Sequence, residues 1–200
     1  MLPAPAEYIK SRLYGFQACI VCGTVLLCLF IHGVSCLYAG EPIQETLSIS
    51  ERTARKELHT VIEVLEDPEA SLGIDDVISP NHSVNFKPVT GNPPNLGYSS
   101  SVYWVRFRVR NDSPNRIVWY LQLAQTWISR IDLYYPEYGG FRTLSSGKDI
   151  PLHEWPFRYR NIVFPISQAA GTVRYHLRIN PGIISLSLLL FAWGPAAFDR

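Results

Sequence analysis

Residues 95–110, with the sequence NLGYSSSVYWVRFRVR, contain the pattern that decides the fold of this chain. Their last residues alternate strictly: the apolar set is Tyr103, Val105, Phe107 and Val109, and the intervening set is Trp104, Arg106, Arg108 and Arg110. A strand directs successive side chains to opposite faces. The alternation therefore predicts a strand with one apolar face toward a core and one cationic face that begins with an indole.

Short apolar or alternating segments, separated by turn residues, occupy the rest of the chain. A helical turn is predicted over residues 74–78 and a loop rich in Gly, Asn and Pro over 88–94. Further strands are predicted over residues 60–65, 116–124, 128–135, 141–144, 162–166, 172–180 and 185–193. About eight short strands at turn-bounded intervals are typical of an antiparallel β-sandwich, so the predicted fold class is all-β.

The N-terminal segment has the order of an export signal. Lys10 and Arg12 precede a long apolar run, residues 13–38, which ends at Ala39. This pattern predicts either a signal peptide or a hydrophobic helix retained as a membrane anchor over residues 1–39. Both alternatives keep the cationic end in the cytoplasm and direct the rest outward. We expect a linker over 40–54 and one exported domain over 55–198, at the periplasmic face of the inner membrane.

Charge and cysteine usage exclude several classes of function. The chain has a formal net charge of +1, and the part after residue 39 has balanced charges, so nucleic acid is not an expected partner. All four cysteines, at 19, 22, 28 and 36, lie in the leader, which leaves no disulfide for the exported domain. The chain carries no hydrolase, metalloprotease or phosphate-loop motif, and its histidines lack metal-ligand spacing. We therefore expect no enzyme activity, cofactor or metal.

Several motifs together resemble one family of bacterial receptors. They are NLGY at 95–98 followed by YWVRF at 103–107, VLEDPEASLGIDDV at 64–77, ISRIDLYYPEYGGF at 128–141, RNIVFPI at 160–166 and the closing strand at 186–193. This set is similar to the second extracellular domain type of the seven-transmembrane receptors with diverse intracellular signalling modules. The resemblance implies a jelly-roll-like sandwich related to carbohydrate-binding modules, placed before seven membrane helices and a cytoplasmic output domain.

Two predicted strands present cationic residues on the side opposite the core. On the strand at 172–180 these are Arg174, His176 and Arg178. If this strand neighbours the one at 102–110, their outer residues and Trp104 form one surface, here called the cationic face, with Tyr120 expected beside it. Arginine forks beside aromatic rings suit a carboxylate, a phosphate or a sugar acid. The alternative is a solvated face on which the arginines pair with Asp132, Glu137 and Glu154.

The loop HEWPFRYR, residues 153–160, is the second predicted binding region, because it concentrates aromatic and cationic side chains near a sandwich rim. The alternative is an aromatic lid over the core with its arginines directed outward. The ligand-binding residues predicted from both regions are Trp104, Arg106, Arg108, Tyr120, Trp155, Arg158, Arg160 and His176.

These observations favour a periplasmic sensor domain that binds a small sugar or carboxylate and signals through the inner membrane or a membrane partner. Because no seven-helix segment follows residue 193, we expect either a product truncated before those helices or a free-standing sensor. The alternatives are an exported carbohydrate-adhesion module, which would depend on Trp104 more than on Arg106, and an envelope glycan hydrolase.

Overall fold

The strand predicted at the centre of the sequence lies in the interior of the larger of two packed sheets. The computed structural model describes residues 45–198, so the expected leader over 1–39 lies outside the described residues. The helices are α1 (Ile74–Ile78), α2 (Pro80–Ser83) and α3 (Pro195–Phe198), with a 3-10 turn at Leu152–Glu154. The strands are β1 (Thr46–Ile49), β2 (Lys56–Glu57), β3 (Glu63–Asp67), β4 (Lys87–Pro88), β5 (Asn95–Tyr98), β6 (Val102–Asn111), β7 (Ile117–Leu123), β8 (Arg130–Glu137), β9 (Gly140–Ser146), β10 (Ile162–Gln168), β11 (Gly171–Asn180), β12 (Ser185–Ser187) and β13 (Leu190–Trp193).

The larger sheet has the order β4-β3-β6-β11-β8-β9. One edge of β6 pairs along its length with antiparallel β11, while the other edge is shared: β3 pairs with its first half and β1, in parallel, with its second half. The smaller sheet has the order β10-β7-β13-β2, and β12 pairs with β5 in a separate two-stranded sheet. Except for β1, every pairing in the described residues is antiparallel, which confirms the predicted all-β class.

The main core lies between the inner faces of the two larger sheets. The alternating apolar residues of β6 are buried here as predicted, with Val105, Phe107 and Val109 at 0% exposure. They pack with the inner residues of β7, β8, β10, β11 and β13, among which Trp119, Phe164 and Tyr175 are the largest. Burial of apolar area at about 25 cal/mol per Å² makes this cluster the main stabilising feature of the fold.

A second, smaller cluster covers the outer face of the larger sheet. Val77 of α1 and Phe86 pack against Val102 and Trp104, with Leu72 and Ile74 at the margin. Residues 72–86, here called the cover segment, therefore bury part of a face that the alternation alone would leave to solvent.

Two expected boundaries differ from the observed ones. Residues 46–49, expected as linker, form β1 and pair with residues 108–111 of β6. Four residues are too few for a clear alternation, and the pairing is non-local, so the sequence carries little signal for it. The single strand expected over 185–193 is divided into β12 and β13, because the first part pairs with β5 and the second with β7.

Candidate functional site

The two cationic strands are direct neighbours, which meets the condition that the sequence left open for one continuous cationic face. In the antiparallel register of β6 and β11, Arg108 lies opposite Arg174, Arg106 opposite His176, and Trp104 opposite Arg178. The outer residues of both strands therefore form one continuous cationic face. Like charges directly opposite each other repel, so such a pairing needs counter-charges nearby.

The expectation that this face is open to solvent is wrong at three of its positions. Trp104 is 0% exposed, Arg106 5% and His176 4%. The reason is the cover segment, from which Val77 and Phe86 pack over this part of the face. The Phe86 ring lies 4.4 Å from the Arg106 guanidinium carbon and 6.4 Å from the His176 ring.

A buried ion pair neutralises Arg106. Its Nε donates to the Glu63 carboxylate at 2.6 Å, and its Nη1 donates to the Ser83 hydroxyl at 2.7 Å. The side chains of Arg106 and Glu63 are only 6% and 9% exposed. Glu63 lies directly opposite Arg106 on β3, so strand register sets the pair. Arg106 is thus a structural ion-pair partner in this arrangement, and a ligand reaches it only if the cover segment moves.

The three carboxylates that the sequence suggested as partners for the arginines of the cationic face contact other residues. Asp132 accepts from Arg130 at 3.0 Å, Glu137 from Arg142 at 3.4 Å, and Glu154 lies 3.7 Å from His153. Arg106 is charge-paired, but its partner is Glu63 and the pair is buried, so the alternative of a solvated face with these three carboxylates does not describe Arg106. At the far end of β6, exposed Arg110 pairs with Asp112 at 2.7 Å.

His176 is a buried neutral imidazole. Burial, together with the charges of Arg174 and Arg106, lowers its pKa to about 4. Tyr134 lies opposite it on β8, and Glu63, which lies beyond Arg106 on the far side of β6, is bonded to Arg106. Within the part of the chain that the structure describes, His176 Nδ1 and Trp104 Nε1 are buried without a hydrogen-bond partner.

The depressed pKa of His176 predicts a loss of stability in mild acid. Because an unfolded histidine titrates near 6.5, the unfolded state gains a proton below that pH while the native state stays neutral down to about 4. The free energy of unfolding should therefore fall as pH decreases from 6.5 to 4, by up to about 3 kcal/mol. Denaturant titrations at several pH values measure this.

His176→Gln is the matched variant for this prediction, since it keeps a neutral polar side chain that cannot titrate. The difference between the unfolding free energies of the two proteins should shift in favour of the variant as the pH falls. A difference that stays constant between pH 7 and pH 4 would show that His176 does not titrate in this way.

Tyr120 does not lie beside the cationic face. It belongs to β7 of the smaller sheet and points away from the core, so the expected neighbourhood with Trp104 is wrong. The sequence could not reveal the sheet to which each strand belongs. Tyr120 instead stacks on Phe198 of α3, with ring centroids 4.3 Å apart and an interplanar angle of 17°.

The loop at 153–160 partly fits the lid interpretation. Trp155 packs against the main core and donates its indole N–H to the Ile150 carbonyl at 3.0 Å. Arg158 and Arg160 are exposed. Phe157 and Tyr159 turn to the outer face of the smaller sheet, where their rings lie 5.6 Å and 5.5 Å from that of Phe198.

No pattern in the sequence indicated the group of rings that joins this loop to the helix α3. We call this group the aromatic cluster; its members are Tyr120, Phe157, Tyr159, Trp193 and Phe198. Trp193 is fixed by donation from its Nε1 to Gln122 at 2.8 Å. Phe198 contacts all four other rings and so links the loop, β7 and β13.

A cavity of about 470 Å³ opens at one end of the sandwich, between the larger and the smaller sheet; we call it the mouth cavity. It is lined by the end of β8, the β10–β11 turn and the residue before β7, and its residues include Arg116, Tyr135, Glu137, Tyr138, Val173 and Tyr175. None of these residues was among the predicted ligand contacts. The sequence gives little indication of this cavity, because its lining residues come from separate strands that only the folded sandwich brings together.

Comparison with known families gives one match. The family described as "7TMR-DISM extracellular 2" matches residues 59–193, which is more than half of the chain. The chain belongs to this family. The resemblance drawn from the motifs at 64–77, 95–107, 128–141 and 186–193 is thereby confirmed, since all of them lie in the matched span. The search of the curated proteins gave no match.

Membership in the 7TMR-DISM extracellular 2 family sets the functional context. Its members are extracellular domains of membrane receptors, and the family is one of sensor domains and not of enzymes. Within residues 45–198, none of the helices has the length and apolar character that a membrane span requires. The same residues hold no group of three or more His, Cys, Asp or Glu side chains arranged for a metal ion.

Proposed function

We propose that the chain is the periplasmic input domain of a bacterial signalling receptor, and that it binds a small carbohydrate-like or anionic ligand. The observation that carries this proposal is the aromatic cluster, through which the exposed cationic loop at 153–160 contacts the C-terminal helix α3. A sensor needs a ligand-contacting element in contact with an element that reports binding.

The loop supplies the ligand contacts in this proposal. Arg158 and Arg160 are exposed, and each guanidinium can bind a carboxylate through two parallel hydrogen bonds. Trp155 anchors the start of the loop in the core, so that the rest of it can order around a ligand. Tyr120, at the base of the cluster, stacks on Phe198 and so supports the rings of the loop instead of contacting the ligand.

The contacts of the aromatic cluster would also carry the binding signal from the loop to α3. Phe157 and Tyr159 share the loop with the two arginines and touch Phe198 directly. Ordering of the loop around a ligand would fix these rings and, through Phe198 and Trp193, the end of β13 and α3. The output partner would be reached at the inner membrane, where the N-terminal leader, cleaved or retained, delivers the domain.

The cationic face contributes at most one ligand contact in this proposal. Arg108 is half-buried beyond the cover segment, and a ligand could extend to it. Contacts to Trp104, Arg106 and His176 would require displacement of residues 72–86. Binding at the 153–160 loop does not require this displacement.

Calorimetry on the purified full chain tests the ligand proposal. D-galacturonate and L-malate are the anionic probes, and D-glucose is the neutral one. We expect an anionic probe to bind and the double variant Arg158→Gln/Arg160→Gln to weaken that binding by about tenfold or more, as expected for lost charge-assisted hydrogen bonds. The control is Arg52→Gln, an exposed arginine outside the loop. Equal affinity in the double variant would refute the role of the loop.

A carbohydrate-adhesion module is the second candidate, because one tryptophan is placed as a sugar platform. Trp127 is 74% exposed and has a left-handed backbone, φ 70°, whereas Trp104, on which the adhesion hypothesis depended, is fully buried. Aromatic faces stack on sugar rings. If the module binds glycans, Trp127→Ala should remove binding to neutral oligosaccharides in a glycan array, and Arg158→Gln/Arg160→Gln should leave it unchanged.

A further inference from the structure

We propose that the mouth cavity binds a small carboxylate that carries a neighbouring hydroxyl or amino group, at a site separate from the 153–160 loop. The cavity lies where the β8–β9 hairpin and the β10–β11 turn meet residue 116, and its volume is about 470 Å³. Sites for small molecules in proteins are typically about 300–1,000 Å³.

Arg116 supplies the group that would hold the carboxylate. It lines the cavity and is exposed, and its Nη1 donates to the Ser167 carbonyl at 3.4 Å. A guanidinium has five N–H donors in a planar fork, so this single long bond leaves donors for a carboxylate. The Ser167 contact also orients the side chain along the cavity wall.

Glu137 supplies a complementary group on the hairpin side of the same cavity. Its carboxylate accepts one hydrogen bond from Arg142 at 3.4 Å, and the side chain is 36% exposed. A carboxylate offers two oxygens with about four acceptor positions, so Glu137 can also accept from a hydroxyl or ammonium group. A cavity with one cation and one anion fits a ligand that presents both a carboxylate and a donor.

The floor of the mouth cavity is rigid. Gln168 Oε1 accepts from Tyr175 at 2.8 Å and from Trp119 at 3.0 Å. Its Nε2 donates to the carbonyls of Val109 and Gly171 at 2.9 Å and 3.0 Å. Burial raises the pKa of the Tyr175 phenol, which therefore stays protonated as the donor. A fully bonded floor lowers the ordering cost of binding.

The walls favour a short, partly apolar body. Tyr135 and Val173 line the cavity between the charged groups, with Tyr135 8% exposed. Tyr138 stands at the entrance, wholly exposed on a residue with φ 48°. Together these residues suit a few carbon atoms against Tyr135 and Val173, with the polar groups of the ligand directed to Arg116 and Glu137.

The test is calorimetry on the purified full chain with D-gluconate and L-serine as probes, and with D-glucose as a neutral control that shares the gluconate skeleton. We expect gluconate or serine to bind, glucose not to bind, and Arg116→Gln to weaken the binding at least about tenfold. Arg116 is exposed, so the variant should fold like the parent. Arg52→Gln, outside the cavity, should bind like the parent.

The outcomes separate this site from the loop. Loss of binding in Arg116→Gln with retention in Arg158→Gln/Arg160→Gln supports the mouth cavity. Unchanged affinity in Arg116→Gln, or no binding of either probe, overturns the inference, and the proposed loop site can still pass its own test with galacturonate or malate.

Discussion

Replacing Arg106 by alanine is expected to lower the free energy of unfolding by about 3–5 kcal/mol, because the Glu63 carboxylate would stay buried without its counter-charge. Glu63 is 7% exposed, and Arg106 Nε lies 2.6 Å from its carboxylate oxygen. The same substitution also removes the bond to Ser83 and the packing of the guanidinium on Phe86. Urea unfolding at pH 7 measures the change.

The chain contains a matched control on the same strand and face. Arg110 also pairs with a carboxylate, Asp112 at 2.7 Å, but the two side chains are 61% and 41% exposed. Exposed pairs contribute about 0–1 kcal/mol, so Arg110→Ala should have a small effect. Equal losses in the two variants would show that burial of the Arg106 pair has no energetic consequence. Replacing both Arg106 and Glu63 by leucine should cost much less than Arg106→Ala.

Trp119→Ala is the second substitution with a large expected effect, again about 3–5 kcal/mol of unfolding free energy. Trp119 is 0% exposed between the two sheets, and its ring meets Tyr175 edge-on at 5.5 Å. Truncation would leave a cavity in the core and remove one of the two donors to Gln168 Oε1. The mouth cavity would then lose part of its fixed floor. Thermal and urea unfolding both report the change.

Two further tryptophan variants separate the contribution of the hydrogen bond to Gln168 from that of core packing. Trp119→Phe keeps most of the ring but removes the hydrogen bond to Gln168, for which we expect about 1 kcal/mol plus a smaller packing term. Trp127→Ala removes an indole that is 74% exposed and should change stability by no more than about 0.5 kcal/mol. If Trp119→Ala were as mild as Trp127→Ala, the packing between the sheets would not stabilise the fold in the way described.

The fold could be predicted because its main signals are local. The alternation in residues 102–110 fixed which side chains of β6 face the core, and β11 was predicted over nearly its full length from the same kind of pattern. Period-two alternation depends only on the geometry of one strand. The pairing of β6 with β11 is non-local, so the sequence left it as a condition, and only the structure shows that the two strands are neighbours.

The site could be predicted only in part, because its arrangement depends on non-local contacts. Nothing in residues 72–86 indicates that they cover Trp104 and Arg106, since this requires knowing the outer face on which α1 and α2 lie. Tyr120 was placed beside the wrong sheet for the same reason. The buried partner of Arg106 was also missed, because Glu63 is a residue of β3 that only strand register brings opposite it.

The proposed sensor mechanism requires that the 153–160 loop and α3 behave as one coupled unit. Phe198 is the residue on which this coupling depends, since its ring contacts both Phe157 and Tyr159 of the loop. Because it lies at the edge of the fold and outside the main core, Phe198→Ala should leave the sandwich folded.

Amide hydrogen exchange on the full chain, compared between the parent and Phe198→Ala, tests the coupling most directly. If the loop and α3 are coupled, the variant should show faster exchange in residues 157–160 and in the end of β13, with unchanged protection of β6 and β11. Unchanged exchange in the loop of the variant would contradict the account, because binding at Arg158 and Arg160 would then have no route through the aromatic cluster to α3.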